Sequence, residues 1–229
     1  MGELDKYSKP SVAVDIVVFT VIENELRALL IKRGRQPFSG FWGLPGGFVH
    51  ISESPEDAAL RELEEETGVK KVYLEQLYTF GEPKRDPRGR VISVAYYALV
   101  DSTKIKPVVT GEEEIENVQW FPARELPKLA FDHEEIIRYA IKRLQYKLEY
   151  TSVGLELLPE SFTLTELQKL YEIILNEKID KRNFRKKILS MGILEQTREY
   201  KTGQHRPAVL YKFRKAKQLS KFKKASFEG

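Results

Sequence analysis

The sequence predicts an α+β fold in two domains, the first made of strands around one sharply punctuated helix, the second a smaller and more basic unit. Three observations predict it. Residues 1–150 alternate in the manner of strands, a single acidic helix interrupts them, and beyond residue 150 short amphipathic helices lead into two further strands. Charge divides at the same place, with 21 Lys and Arg against 25 Asp and Glu in residues 1–150 but 17 against 9 in residues 151–229. Domain boundaries of 1–150 and 151–229 follow. The basic second part suits a polyanion partner, the alternative being a solvated tail that keeps the chain soluble.

Composition removes several classes of function. The chain of 229 residues has no cysteine, which excludes disulfides and thiolate metal sites. Its N-terminus has no signal-peptide pattern and no apolar run is long enough to span a bilayer, so a cytoplasmic protein is expected. There is no internal repeat or low-complexity segment.

In the first part, Val12, Val14, Ile16 and Val18 alternate with other residues. A turn at Glu23, Asn24 and Glu25 then returns the chain into residues 26–32, as in a hairpin. Further strands are predicted over residues 72–80, 91–100 and 118–121. Trp42, Trp120 and most tyrosines read as core. A closing helix begins from Asp132 as N-cap and carries Ile136, Ile137, Ala140, Ile141 and Leu144 on its apolar face, with His133 structural.

The acidic helix is predicted over residues 55–67: Ser54 is the N-cap, Pro55 the first helical residue, Asp57 lies three past the cap and Gly68 terminates. Glu62, Glu65 and Glu66 stand at i, i+3 and i+4 and share a face, while Ala59 and Leu63 pack inward. Crowded acids near the negative end of a helix repel one another. A hard divalent cation relieves them, Mg²⁺ with Mn²⁺ as alternative, because such ions prefer carboxylate, water and phosphate oxygens. A solvated acidic face is the bland alternative, and the framing weighs against it. Gly47, five residues, Glu53, seven residues and then Arg61-Glu62-Leu63-Glu64-Glu65-Glu66-Thr67-Gly68-Val69 has a chance probability of about 10⁻⁷ per start position.

This stretch resembles the Nudix box at every position, the signature of hydrolases that split nucleoside diphosphates linked to another group. The resemblance implies an α/β/α sandwich with a mixed sheet, and Glu65 and Glu66 as metal ligands. It implies Glu62 as ligand or base, Arg61 and Glu53 as a supporting pair, and the Gly46 carbonyl as a further ligand. Metal-bound water then loses its proton to a nearby carboxylate. Two loops add to this. Residues 81–90 carry Lys84, Arg85, Arg88 and Arg90, which suit either an anionic ligand or plain solvation. The Arg85-Asp86-Pro87 loop resembles that of the ADP-ribose branch, making Arg85, Asp86, Arg88 and Arg90 candidate substrate contacts. Nudix enzymes often draw one more glutamate from the region of residues 111–114, so Glu113 or Glu114 is a candidate ligand or base.

Residues 150–161 read as a linker. Thr163-Leu164-Thr165-Glu166 is a capping box opening a helix with Leu167, Leu170, Tyr171, Ile174 and Leu175 on one face. A short turn leads into a second helix over residues 181–191, ended by Gly192. That helix buries Phe184, Ile188 and Met191 and leaves Arg182, Arg185 and Lys186 outward. Strands over residues 193–200 and 208–213 flank a basic connection. Two helices, a tight turn and a basic hairpin describe a winged helix-turn-helix. Lys181, Arg182, Asn183, Arg185, Lys186, Lys201, Gln204 and Arg206 are candidate contacts to double-stranded DNA. His205 is a phosphate contact or an inert wing residue, and the tail after Arg214 is expected to be disordered.

The combination resembles the Nudix-related transcriptional regulators of NAD metabolism, through residues 43–49, Phe131-Asp132-His133, residues 162–167 and 180–185, and Arg206-Pro207-Ala208. That resemblance implies a dimeric repressor sensing ADP-ribose or a related metabolite. The retained acids also suit a Mg²⁺-dependent ADP-ribose pyrophosphatase, and a sugar-responsive regulator of the same architecture is a third reading.

Overall fold

Seven consecutive residues of the first strand, 14–20, are buried. A strand buried on both sides must have layers on both faces. Alternation of Val12, Val14, Ile16 and Val18 pointed to one buried face only, whereas Val17 and Phe19 on the other side are equally buried. The structure, a computed structural model, describes residues 6–70, 72–101, 108, 115–150, 156–202 and 207–214. The chain divides into two compact units, one of residues up to Thr20 with Arg27–Ala140, the other of Val21–Leu26 with residues from Ile141 onward.

The first unit is a mixed sheet with helices. Its strands are β1 (Ser11–Ile22), β2 (Glu25–Arg33), β3 (Trp42–Gly43), β4 (Tyr73–Phe80), β5 (Val91–Leu99) and β6 (Ile115–Pro122), in the order β3-β2-β1-β5-β4 with β6 paired to β2. β1 runs parallel to β5, while β2 pairs antiparallel with both β3 and β6, and β4 with β5. The turn joining β1 to β2 has Glu23 and Asn24 both at positive φ, 53° and 62°, as two-residue hairpins require. β3 was not foreseen, because two residues leave no periodicity to read.

Helix α1 (Pro55–Thr67) has the punctuation expected of it. The Ser54 hydroxyl accepts from the Asp57 N–H at 3.1 Å, and Gly68 ends the helix at φ 69°, giving its N–H to the Glu64 carbonyl. Ala58, Ala59 and Leu63 pack into a core with Val14, Ile16, Val18, Leu29, Tyr96 and Ala98. That packing fixes which way the glutamates of α1 face. Helix α2 (His133–Tyr150) buries Ile136, Ile137 and Ala140 within this unit, and its Tyr139 stacks on Tyr78 with ring centroids 5.2 Å apart.

The second unit holds α3 (Leu164–Leu175), α4 (Lys181–Ser190), β7 (Leu194–Lys201) and β8 (Ala208–Phe213). The capping box is formed from both sides: the Glu166 N–H donates to Thr163 Oγ1 at 3.1 Å and the Thr163 N–H to Glu166 Oε2 at 2.8 Å. Asn176, at φ 61°, closes α3, and the Asp180 carboxylate opens α4 by accepting from the Asn183 N–H at 2.8 Å. Tyr171 meets Phe184 edge-on at 5.2 Å, which locks the two helices. α4 stops at Ser190, one residue short of the expected end, and Met191 is a half-buried cap. β7 and β8 pair antiparallel, and Phe162 bridges to Tyr211 at their base. This is a winged helix-turn-helix. Part of the expected linker and the tail beyond Arg214 lie outside the described residues. Among the described residues, no helix is long and apolar enough to cross a membrane.

Candidate functional site

Arg61 organises the acidic face of α1. Its guanidinium forks onto Glu53, at 3.0 Å to Oε2 and 2.7 Å to Oε1, and also donates to Glu62 at 2.8 Å, Glu65 at 3.0 Å and the Phe48 carbonyl at 3.3 Å. The Arg61 fork, helped by the His50 N–H, holds the Glu53 carboxyl down at about 2, and the Glu53 fork raises Arg61 in turn. Glu66 is held from the other side, its Oε2 accepting from the Gly46 N–H at 2.8 Å. The crowding that the sequence assigned to a cation is thus partly relieved by the chain itself.

The two glycines before the helix matter through space. Gly46 sits at φ 152°, and a Cβ there would fall 2.1 Å from the Val14 carbonyl oxygen. A Cβ on Gly47 would stand 2.2 Å from Glu62 Oε1, so its absence leaves room for that carboxylate. Val14 N–H to Gly47 O and Ile16 N–H to Pro45 O, both 2.9 Å, pin this loop to β1.

Glu62, Glu65, Glu66, Arg61, Gly46 and Gly47 line one cavity of about 380 Å³, shared with Arg33, Arg35 and Arg88. The acids offer an all-oxygen donor set, which suits a hard divalent cation. Among the described residues, however, no three His, Asp or Glu groups are already gathered closely enough to hold an ion. The expected ligands therefore share a cavity without forming a finished cage: Arg61 holds Glu62 and Glu65 on one of its nitrogens, while the Gly46 N–H retains Glu66.

The arginines around the cavity differ in their partners. Arg88 pairs with Asp86 through Nε to Oδ1 at 3.0 Å and NH2 to Oδ2 at 2.7 Å, and its guanidinium lies 5.2 Å from the Phe48 ring centre and 5.6 Å from that of Phe131. Arg33 lies 5.0 Å from the Phe131 ring. Burial, followed by the nearby charges of Arg88 and Arg35, lowers Arg33 below its ordinary value. An anion entering the cavity would relieve that repulsion. Arg33 and Arg35 were missed in the sequence, where a strand ending in alternate arginines gave no signal of facing acids on α1.

Arg85, expected as a substrate contact, lines the adjoining small void but is held by carboxylates of the fold. Its side chain is 4% exposed and forks onto Asp132 at 2.8 and 2.6 Å, with a third contact to Asp15 at 3.0 Å. Burial works to raise Asp15, but His133, Arg85 and Ser93 together hold it well below the usual carboxylate range. Asp132 spends its carboxylate on Arg85 instead of capping α2. Asp86 is buried and serves Arg88, and Arg90 donates to the Gly81 carbonyl at 2.8 Å without lining the cavity. Glu113 and Glu114 lie outside the described residues.

Sequence comparison agrees with this geometry. Residues 10–143 match the NUDIX domain model and residues 154–213 match that of the NrtR DNA-binding winged helix domain. The chain is 40% identical over 209 residues to the ADPR responsive transcriptional repressor NtrR of Acinetobacter baylyi, covering 90% of this chain and 83% of that one. It belongs to the NrtR family of Nudix-containing transcriptional regulators. The crystal structure of Shewanella oneidensis NrtR complexed with a 27mer DNA superposes with a TM-score of 0.75 at 37% identity, covering 89% of this chain and 93% of that one. The NUDIX domain of that same protein, complexed with ADP ribose, matches at a TM-score of 0.57 and 37% identity, over 62% of this chain and 94% of that one. An ADP-ribose pyrophosphatase of Methanocaldococcus jannaschii is 42% identical over 132 residues, 58% of this chain and 73% of that one.

In this NrtR-family chain the second helix of the winged helix-turn-helix leaves Lys181, Arg182, Asn183 and Lys186 exposed around its buried Phe184 and Ile188. Arg185 is only half-buried surface, with its NH2 on Thr165 Oγ1 at 3.2 Å, so it is turned partly back toward α3. Lys201 on β7 pairs with Glu166 of α3. Gln204, His205 and Arg206 lie outside the described residues.

Proposed function

We propose that the chain is a homodimeric transcriptional repressor whose Nudix domain, residues 1–150, binds ADP-ribose with Mg²⁺ and whose winged helix domain, residues 151–229, binds operator DNA in the cytoplasm. One observation carries this reading: the acids of α1 and the arginines Arg33, Arg35 and Arg88 line the same cavity. A diphosphate needs a cation bridge on one side and guanidinium donors on another, and the cavity offers carboxylates for the first and arginines for the second. Glu62, Glu65 and Glu66 with the Gly46 carbonyl would hold the cation, Arg61 and Glu53 would brace them, and Arg88 would receive phosphate. Exposed Arg182, Asn183 and Lys186 would face the major groove, and two-fold symmetry would pair two such helices on a palindromic site. The ADPR-responsive relative and the DNA and ADP ribose complexes of Shewanella NrtR support the same assignment.

A second reading, hydrolysis of ADP-ribose to AMP and ribose 5-phosphate, is favoured by the intact box and by the pyrophosphatase relative. Bound Mg²⁺ would neutralise the diphosphate and acidify a water; Glu62 or Glu113 would take the proton. Gel shift on the DNA upstream of the chain's own coding sequence, with and without ADP-ribose, tests the first reading. A parallel hydrolysis assay on Glu66→Gln tests the second. The variant should lose turnover and still shift DNA. Operator affinity indifferent to ADP-ribose would end the repressor reading.

A further inference from the structure

Both ring nitrogens of His133 are committed, and their partners fix its tautomer. The Leu44 N–H can only donate, and it meets Nδ1 at 2.8 Å, so Nδ1 carries a lone pair. The proton of the neutral ring is then on Nε2, which faces Asp15 Oδ1 at 3.3 Å. Gly43 makes room for the ring, since a Cβ there would lie 3.1 Å from Nδ1. Asp15 also accepts from Ser93 at 2.5 Å and from Arg85, which forks onto Asp132. The first turn of α2 is therefore tied at two adjacent residues to β1 and to the loop of residues 44–47.

That loop is the floor of the effector cavity. Its Gly46 N–H holds Glu66, and Gly46 and Gly47 line the cavity on one side. The same glycines, with Arg33, Phe48 and Arg88, also line an adjoining void of about 50 Å³ that takes in Leu44, Asp15, Arg85 and His133. A ligand that draws Glu66 away leaves the Gly46 N–H without its acceptor and shifts the peptide planes beside Leu44. α2 then runs unbroken from His133 to Tyr150, and the boundary between the two compact units falls inside it, after Ala140.

We propose that His133 is the positioning residue through which occupancy of the acidic cavity is registered at the first turn of α2, by way of its hydrogen bond from the Leu44 N–H. This rests on the effector reading above. Ligand can alter DNA affinity only through a contact that differs between the two states, and the Leu44 N–H to His133 bond is that contact. Asp15 and Arg85 are the anchor against which it acts.

Two substitutions separate the halves of the device in the full-length chain. His133→Asn keeps an acceptor near the Nδ1 position and gives up Asp15, whereas His133→Gln reaches toward Asp15 and leaves the Leu44 N–H without an acceptor. ADP-ribose binding is measured by calorimetry with Mg²⁺, and operator binding by fluorescence anisotropy with and without ADP-ribose. In the wild type and His133→Asn, ADP-ribose should weaken operator binding about tenfold or more, while in His133→Gln the effect should shrink to about twofold or less. Equal coupling in Asn and Gln variants, whatever their melting temperatures, overturns the proposal. A wild type whose operator affinity ignores ADP-ribose overturns the effector reading and this inference together; wild-type coupling retained by His133→Gln overturns this inference alone. Should the variants not fold, ¹⁵N spectra of the three histidines decide it. One should show an unprotonated Nδ1 and a protonated Nε2, with the Nδ1 signal moving on ADP-ribose addition. An imidazolium, a reversed tautomer or an unmoved signal overturns the proposal.

Discussion

Replacing Arg85 by Met separates scaffold from ligand contact in the loop of residues 81–90. The guanidinium is buried and serves two carboxylates, so the variant leaves Asp15 and Asp132 without their shared cation. Removing one partner of a buried pair costs about 3–5 kcal/mol. Asp15 keeps the Ser93 hydroxyl and the His133 N–H, and Asp132 is 17% exposed, which places the cost at the lower end, about 3 kcal/mol. For a domain of this size that lowers Tm by about 6–12 °C. The pH dependence has a definite sign. Asp15 is depressed in the folded state, so its contribution is present above its unfolded pKa of about 4 and is lost as pH falls below it. Arg85→Met weakens that depression, and the gap between variant and wild type should hold at neutral pH and narrow only as pH falls below the variant's own folded Asp15 pKa toward the lower wild-type one. Scanning calorimetry at several pH values measures both effects. A variant melting within about 2 °C of wild type while losing tenfold or more in ADP-ribose affinity would refute the reasoning and restore Arg85 as a ligand contact.

Gly46→Ala must place a Cβ against the Val14 carbonyl at positive φ, and should cost about 2–4 kcal/mol with loss of the ADP-ribose binding heat; an unchanged Tm would contradict the strain. Glu53, held at about 2 by the Arg61 fork, contributes stability above its unfolded pKa of about 4.3 that disappears as pH falls toward about 2. Acid titration followed by circular dichroism should show that contribution, and Arg61→Gln should remove it. Thr163→Ala breaks the capping box and should lower the stability of the winged helix unit by about 1 kcal/mol, read from its urea midpoint. Arg182→Ala and Lys186→Ala should each reduce the slope of log affinity against log salt by about 0.9 if they contact phosphates; unchanged slopes would place DNA on another face.

What the amino-acid order determined by itself is everything governed by near neighbours. Ser54, Pro55 and Gly68 bracket α1 because a helix end must satisfy its own first N–H and last carbonyl groups locally. Thr163 and Glu166 open α3 for the same reason, and fixed spacing puts Glu62, Glu65 and Glu66 on one face whatever the rest of the chain does. Periodicity likewise placed the main strands, though not the two residues of β3, and told nothing of the second buried face of β1. The tertiary structure alone decided which cations meet which acids. Arg85 and Arg88 are three residues apart and alike in the sequence. One finds Asp132, 47 positions away, and Asp15, 70 positions away, and is consumed by the interior; the other stays at the cavity with Arg33 and Arg35. A side chain's type fixes what it can bind, but its partner is chosen by distance and desolvation across the fold, and those exist only once the strands have paired.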